Sequence, residues 1–336
     1  MAQEHRLTGE AWGGLAASLV ALPQSIAFGV AIYAALGPAY AAYGALAGFL
    51  GAAAIGLTTA SFGGAPRLIS SPCAPAAALM APLVADLLTR TGSPERVMVL
   101  MVFTGLLVGI LQMAYGLLGG GRLIKYIPYP VVTGYMSGVA ILILLGQGPR
   151  LFGLPKGLGL AAGLIQPGLW RWPALFVGAA TMLAMVLGPR WTKKVPATLL
   201  GVGAGVLAYL WLGAFEHKLY DLTANPLVVG PIGGQGAGFG AWTGRWAAVM
   251  NGGWADLKLL FFPALTLSVL LSIDTLKTGV VLDALTQSRH SSNRELFGQG
   301  LGNLVSGLAG GVPGSATMAG TLVNLSSGGS GRASGV

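Results

Sequence analysis

Between Arg6 and Arg67 the chain carries no lysine, arginine or aspartate, and Glu10 is its only acid. Some sixty residues with almost no group that demands bulk water fit two helices crossing a hydrocarbon core, each needing about 20 apolar residues. The rest of the chain repeats this character. Only 9% of its 336 residues are charged and 54% are hydrophobic, against roughly 25% charged in a soluble domain. The chain therefore reads as an all-α polytopic membrane protein. Its first apolar run, roughly 11–36, is too long for a cleavable signal and leads directly into more span-like sequence.

The same composition excludes several functions. The net charge of +9 comes from basic residues scattered singly through short loops, so no clustered face is present to bind nucleic acid. One cysteine, Cys73, rules out a disulfide framework and a multi-cysteine metal site. His5, His217 and His290 all fall outside the expected spans. No expected pocket combines a nucleophile with a base, so the chain is not read as an enzyme and needs no cofactor beyond a coupling ion.

Apolar runs bounded by Gly, Pro and charged clusters predict ten segments, near 11–36, 38–58, 74–90, 97–118, 129–147, 172–188, 196–213, 258–287, 294–310 and 316–327. Two of them, 74–90 and 316–327, are too short or too polar at their start to cross alone. Each follows an extended, proline-containing stretch, "PRLISSPCAP" (66–75) and "GGVPGSATMAG" (310–320). Interrupted segments of this kind point to a transporter site, where half-helix N-termini turn unpaired N–H groups and positive dipole ends toward an anion. The glycine-rich "GPIGGQGAGFGAW" (230–242) has no preceding strand and reads as a loop. Most other glycines suit close packing of membrane helices. Tryptophans 12, 170, 172, 191, 211, 242, 246 and 254 fall at span ends or in loops, where an amphipathic ring suits the interface. The Lys/Arg distribution, with Arg6, Arg67, Arg122, Lys125, Arg190, Lys193, Lys194, Arg289, Arg294 and Arg332 on one side and Arg90, Arg96, Arg150, Lys156, Arg171, Lys218 and Arg245 on the other, favours a cytoplasmic N-terminus in the cell (inner) membrane.

Asp274, in "SIDTLKT" (272–278), is the one acid expected deep in a span; Asp86 and Asp283 lie near ends. A charge at the bilayer centre costs at least about 2.5–3.5 kcal/mol, so it faces a cavity, finds a partner or serves transport. Helical spacing places Lys277 at i+3 and Thr278 at i+4 within its reach. Asp274, Thr278 and nearby carbonyls offer hard oxygen ligands for Na⁺, or Asp274 accepts a proton. Lys277 can also take the place of that cation, or merely neutralise Asp274. Cys73 in its apolar setting reads as a small pocket-lining residue. Gln24, an amide on the first helix, either bonds a neighbouring helix or touches substrate, and Phe28 lies one turn away on the same face. In "RHSSNREL" (289–296), Ser292 or Asn293 is the expected N-cap, with Glu295 in the first turn.

"SRHSSNRELFGQGLGNLVSGLAGG" (288–311), "VALPQSIAFGVA" (20–31) and "SSPCAP" (70–75) resemble the SulP sulfate-permease family of anion transporters, from about residue 8 to the last. The resemblance implies two inverted repeats of seven segments, divided into a core domain and a gate domain and usually followed by a soluble STAS domain. On that plan residues 8–120 and 258–336 are core, 121–215 are gate, and 216–257 form an extracellular loop. The eleventh segment, the rest of the gate and the STAS domain are then missing after "GRASGV". The resemblance implies a small anion, bicarbonate or sulfate, held by Gln24 and Phe28 of the first segment, Ser71, Cys73 and Ala74 of the third, and Thr317, Ala319 and Gly320 of the tenth. "SIDTLKT" is similar to the eighth segment of sodium-dependent bicarbonate members, which implies Na⁺ on Asp274 and Thr278, whereas Lys277 resembles the lysine of prestin-like animal members. Gly320 stands where many members have arginine, leaving that site to backbone N–H groups and the helix dipole. The expected function is secondary transport of a small anion by alternating access, coupled to Na⁺ or H⁺, with lipid and a homodimer as the implied partners. An anion channel, an uncoupled exchanger and a shortened, non-transporting membrane module are the alternatives.

Overall fold

A computed structural model describes residues 2–122, 129–155, 158–192, 195, 197–221 and 254–336. The glycine-rich stretch 230–242, most of the 216–257 loop, Trp242, Trp246, Arg245, Lys125, Lys156, Lys193 and Lys194 lie outside these residues. The described chain forms two compact units, residues 1–128 with 233–336, and residues 129–232.

The first unit contains α1 (Ala2–Tyr33), α2 (Ala41–Phe62), β1 (Ser70–Pro72), α3 (Ala74–Thr91) and α4 (Pro94–Leu117). The second contains α5 (Tyr129–Leu151), α6 (Leu160–Ile165), α7 (Trp172–Trp191) and α8 (Ala197–Phe215). The first unit then resumes with α9 (Trp254–Thr286), α10 (Ser292–Leu308), β2 (Gly314–Ala316) and α11 (Met318–Ser326). Every segment expected from the apolar pattern is a helix; the six-residue α6 was not anticipated, being too short to show a period. Six stretches are long and apolar enough to cross a membrane, Leu7–Leu36, Ala41–Phe62, Pro94–Leu117, Trp172–Trp191, Ala197–Phe215 and Asp256–Thr286.

Local chemistry sets the helix ends. Gly92 closes α3 in the left-handed region (φ 65°), its N–H reaching Leu88 O at 2.9 Å. The next helix starts at once, with Ser93 as N-cap accepting from Arg96 N and Pro94 in the first turn. One end of α9 is held to α4 by the Arg96 guanidinium, which donates to both oxygens of Asp256 at 2.7 and 2.6 Å.

Packing in the first unit rests on two devices. Small residues let backbones touch: a Cβ on Gly44 of α2 would stand 2.5 Å from Gly29 O of α1, and one on Gly109 of α4 only 2.6 Å from Leu304 N of α10. The second device is an apolar stripe at helical spacing on α3, Ala76, Ala77, Met80, Val84 and Leu87, buried against Ile32, Val97, Leu100, Leu260, Ala264 and Leu271. That stripe fixes α3 although its first turn is occupied by a small polar junction.

In the second unit α7 packs along α8. Phe176 stacks on Trp211 with ring centroids 5.6 Å apart, and Trp170 Nε1 donates to Gly163 O at 3.0 Å, tying α6 to the start of α7.

Candidate anion site

The short strands β1 and β2 pair antiparallel, with Ser70 opposite Ala316, Ser71 opposite Ser315 and Pro72 opposite Gly314. Because each strand runs directly into a helix, α3 and α11 leave opposite ends of the pair. The N-termini of the two helices therefore both point back at the strands. Their N-cap residues, Cys73 and Thr317, are extended (φ −131°, ψ 162° and φ −106°, ψ 124°), and neither caps its helix with a side-chain hydrogen bond. Two positive dipole ends thus converge without a side-chain oxygen from either N-cap to quench them.

The sequence-derived site residues fall around this crossing. Ser71, Cys73 and Gly320 are buried, Ala74 and Thr317 half-buried, and Ala319 exposed. Thr317 N–H donates to Ile69 O at 2.8 Å, which ties the α11 cap to the residue before β1. On α1, which packs against both α3 and α11, Gln24 and Phe28 are half-buried. Phe28 packs on the core that includes Cys73, Ala76 and Ala77, and the Gln24 amide makes no hydrogen bond with a described residue.

Asp274 belongs to the same cluster. Its Oδ1 accepts from Lys277 Nζ at 2.7 Å, and its Oδ2 accepts from Ser315 Oγ at 2.7 Å. Ser315 Oγ also lies 3.2 Å from Cys73 Sγ. Lys277, Asp274, Ser315 and Cys73 thus form one hydrogen-bonded chain from the middle of α9 through β2 to the α3 cap. Thr278 Oγ1 donates to Asp274 O at 2.9 Å and lies 3.4 Å from Ala316 O, while Thr275 Oγ1 accepts from Ala316 N at 3.2 Å. Asp274, Thr275, Thr278 and Ser315 are all buried, so the ion pair sits behind the strands and contributes no net charge to the site.

Sequence reasoning missed the polar face of α10. Glu295, Gln299, Asn303 and Ser306 recur every three or four residues and are at most 1% exposed. Glu295 Oε2 accepts from Gly64 N at 2.7 Å and Ala65 N at 2.9 Å, and Gln299 Nε2 donates to Ser70 Oγ and to Glu295 Oε1. Asn303 takes both backbone groups of Gly314, and Ser306 Oγ donates to Val312 O. The signal was present as a helical period of acid, amide and hydroxyl side chains along a glycine-rich helix. One expectation is corrected here. The α10 N-cap is Ser291 rather than Ser292 or Asn293, and it makes no side-chain cap; Ser292 Oγ is bonded instead to His290 Nε2 at 3.1 Å. Glu295 lies in the first turn of α10 as expected, and its carboxylate also captures the N–H groups just past the end of α2.

Helices of membrane-spanning length with two half-helices meeting at a strand pair define an integral membrane protein of transporter architecture. The chain matches the sulfate permease family over residues 7–336, and it belongs to that family. It is 33% identical over 335 residues to the bicarbonate transporter BicA of Picosynechococcus sp., covering 96% of this chain and 54% of that protein. It is 25% identical over 321 residues to the putative sulfate transporter YbaR of Bacillus subtilis, covering 96% and 57%. The solved transmembrane domain of a cyanobacterium bicarbonate transporter BicA superposes with a TM-score of 0.77 at 31% identity, covering 98% of this chain and 79% of that one. The chain spans about half the length of the curated relatives it matches.

Proposed function

We propose that this chain is the membrane part of a secondary transporter that carries a small anion, bicarbonate or sulfate, by alternating access. The observation that carries the reading is the convergence of two N-termini without side-chain caps on a strand pair beside which the Asp274 carboxylate is already paired with Lys277. With Asp274 held by Lys277, the helix dipoles are left as the field an incoming ligand meets, and that field selects negative charge. Gln24, Phe28, Ser71, Ala74, Thr317, Ala319 and Gly320 line the approach. Gly320 contributes backbone and space: a Cβ there would stand 3.0 Å from both Ile69 Cγ2 and Thr317 Oγ1. The similarity to transporters named for bicarbonate and sulfate supports the same substrate class. The N-terminus is proposed to be cytoplasmic.

Coupling to Na⁺ or H⁺ would pass through Asp274. Both of its oxygens are engaged, so the reading favoured here is that the Lys277 ammonium stands permanently where a coupling cation would otherwise bind. A second reading has its own observation: Thr278 Oγ1 lies 2.9 Å from the Asp274 backbone O and 3.4 Å from Ala316 O, hard oxygens on the same helix turn as the Asp274 carboxylate, a set that suits Na⁺ once Lys277 swings away. A proton would compete with Lys277 for the same carboxylate.

Uptake of labelled sulfate and bicarbonate into proteoliposomes tests the proposal. Saturable uptake, competed by the unlabelled anion and lost in Gly320→Leu, is the expected result. A steady unsaturable anion conductance would move the assignment to a channel, and no anion flux at all would leave a non-transporting membrane module.

A further inference from the structure

The backbone of β2 has two edges, and only one faces β1. On the other, Gly314 and Ala316 present N–H and C=O groups that no strand covers, and buried backbone groups of this kind are almost always bonded. Side chains complete the ladder. Asn303 Oδ1 accepts from Gly314 N at 2.8 Å and Asn303 Nδ2 donates to Gly314 O at 2.9 Å, so its amide takes the part of a peptide unit of a third strand. Two residues on, Thr275 Oγ1 accepts from Ala316 N at 3.2 Å. Across the pair, Gly314 faces Pro72, which has no N–H to offer. A Cβ on Gly314 would stand 2.6 Å from Pro72 N, so the two strands touch here. Asn303 is itself fixed: Nδ2 also donates to Gln112 Oε1 at 2.6 Å, and Gln112 Nε2 donates to Ser272 Oγ at 3.3 Å. Gln112 and Asn303 are fully buried.

We infer that Asn303 is a positioning residue for anion binding, a surrogate strand that sets where β2 stands and hence where the α11 N-terminus, beginning at the Thr317 cap, points. The inference rests on the anion-transport reading but concerns a residue that does not touch the anion. A hydrogen-bonded donor displaced by about an ångström loses much of its strength, so release of Gly314 weakens the grip on the anion even in a folded protein. Gly314 is held at both backbone groups by one side chain, which leaves no alternative partner when that side chain is removed.

The test measures half-saturating concentration and maximal rate of labelled sulfate and bicarbonate uptake, each normalised to folded protein. Asn303→Leu, branched at Cγ like asparagine and without hydrogen bonds, is expected to raise the half-saturating concentration tenfold or more while the maximal rate per folded molecule falls less. Ser306→Ala removes a buried bond from the same helix face, to Val312 O, and is expected to change that concentration by less than twofold. If Asn303→Leu does not fold, Asn303→Asp, whose Oδ1 can still accept from Gly314 N while Gly314 O loses its donor, and Thr275→Val, which releases the Ala316 N–H from α9, are expected to raise it severalfold. An unchanged half-saturating concentration in the folded variants, or an equal rise in Ser306→Ala, would overturn the inference. Absence of saturable uptake by the wild-type chain would instead overturn the transport reading, and this inference with it.

Discussion

The two units of the chain solve the same solvent problem in opposite ways. In the first, α4 has 61% of its most apolar window buried; in the second, α7 has 6%. All the buried polar and charged side chains among the described residues, from Glu10 to Ser334, belong to the first unit. The second exposes Val186, Trp191, Leu207 and Phe215, a surface suited to lipid or to other apolar segments. Hydrophobic burial between helices earns little in a bilayer, where lipid is as apolar as leucine. The first unit therefore holds its irregular backbone with side-chain hydrogen bonds, which non-helical chain inside a membrane requires. The second, helical throughout its described spans, satisfies its backbone internally and can leave its side chains bland.

This contrast predicts where substitutions hurt. Asp274→Asn removes the carboxylate that Lys277 Nζ bonds at 2.7 Å and is expected to cost about 3 kcal/mol, read as a fall in thermal midpoint in detergent. Adding Lys277→Met should recover most of that stability without restoring transport, since it also removes the ammonium that had paired with the carboxylate. A double variant no more stable than Asp274→Asn would break the assignment of the pair as a unit. Next in size, Glu295→Ala bares the N–H groups of Gly64 and Ala65 and is expected to cost about 2–3 kcal/mol. Gly44→Val forces apart the α1–α2 contact at Gly29 and should cost about 1–3 kcal/mol through overpacking. Smallest of all, Leu207→Ser on the exposed face of the second unit should change stability by less than about 0.5 kcal/mol. A larger loss there would show that this face is covered in solution and would sharpen the division between the units.

Much of this was legible in the sequence. The helices follow from apolar runs, and the two half-helices from proline and small polar residues breaking those runs at 66–75 and 310–320. Asp274 and Lys277 stand out because a charge is conspicuous in a span, and their pairing follows from helical spacing. The α10 face was harder to see, because Gln299, Asn303 and Ser306 are uncharged and lie among glycines, where they read as packing rather than as ligands for a strand edge. Ser315 was equally hidden: its bonds to Asp274 and Cys73 join three segments, and no local pattern encodes a contact between residues so far apart. The N-cap at Ser291 was displaced by one residue because His290, paired with Asp283 at 2.8 Å, draws the Ser292 hydroxyl away from the helix end.

The most direct test of the central claim, a dipole-built anion site with Lys277 standing as its resident cation, is the initial rate of labelled bicarbonate and sulfate uptake into proteoliposomes with and without an inward Na⁺ gradient. The account predicts saturable uptake of one of these anions at the same rate in both conditions. Uptake that appears only with the Na⁺ gradient would contradict it, placing Na⁺ rather than Lys277 on Asp274 during transport.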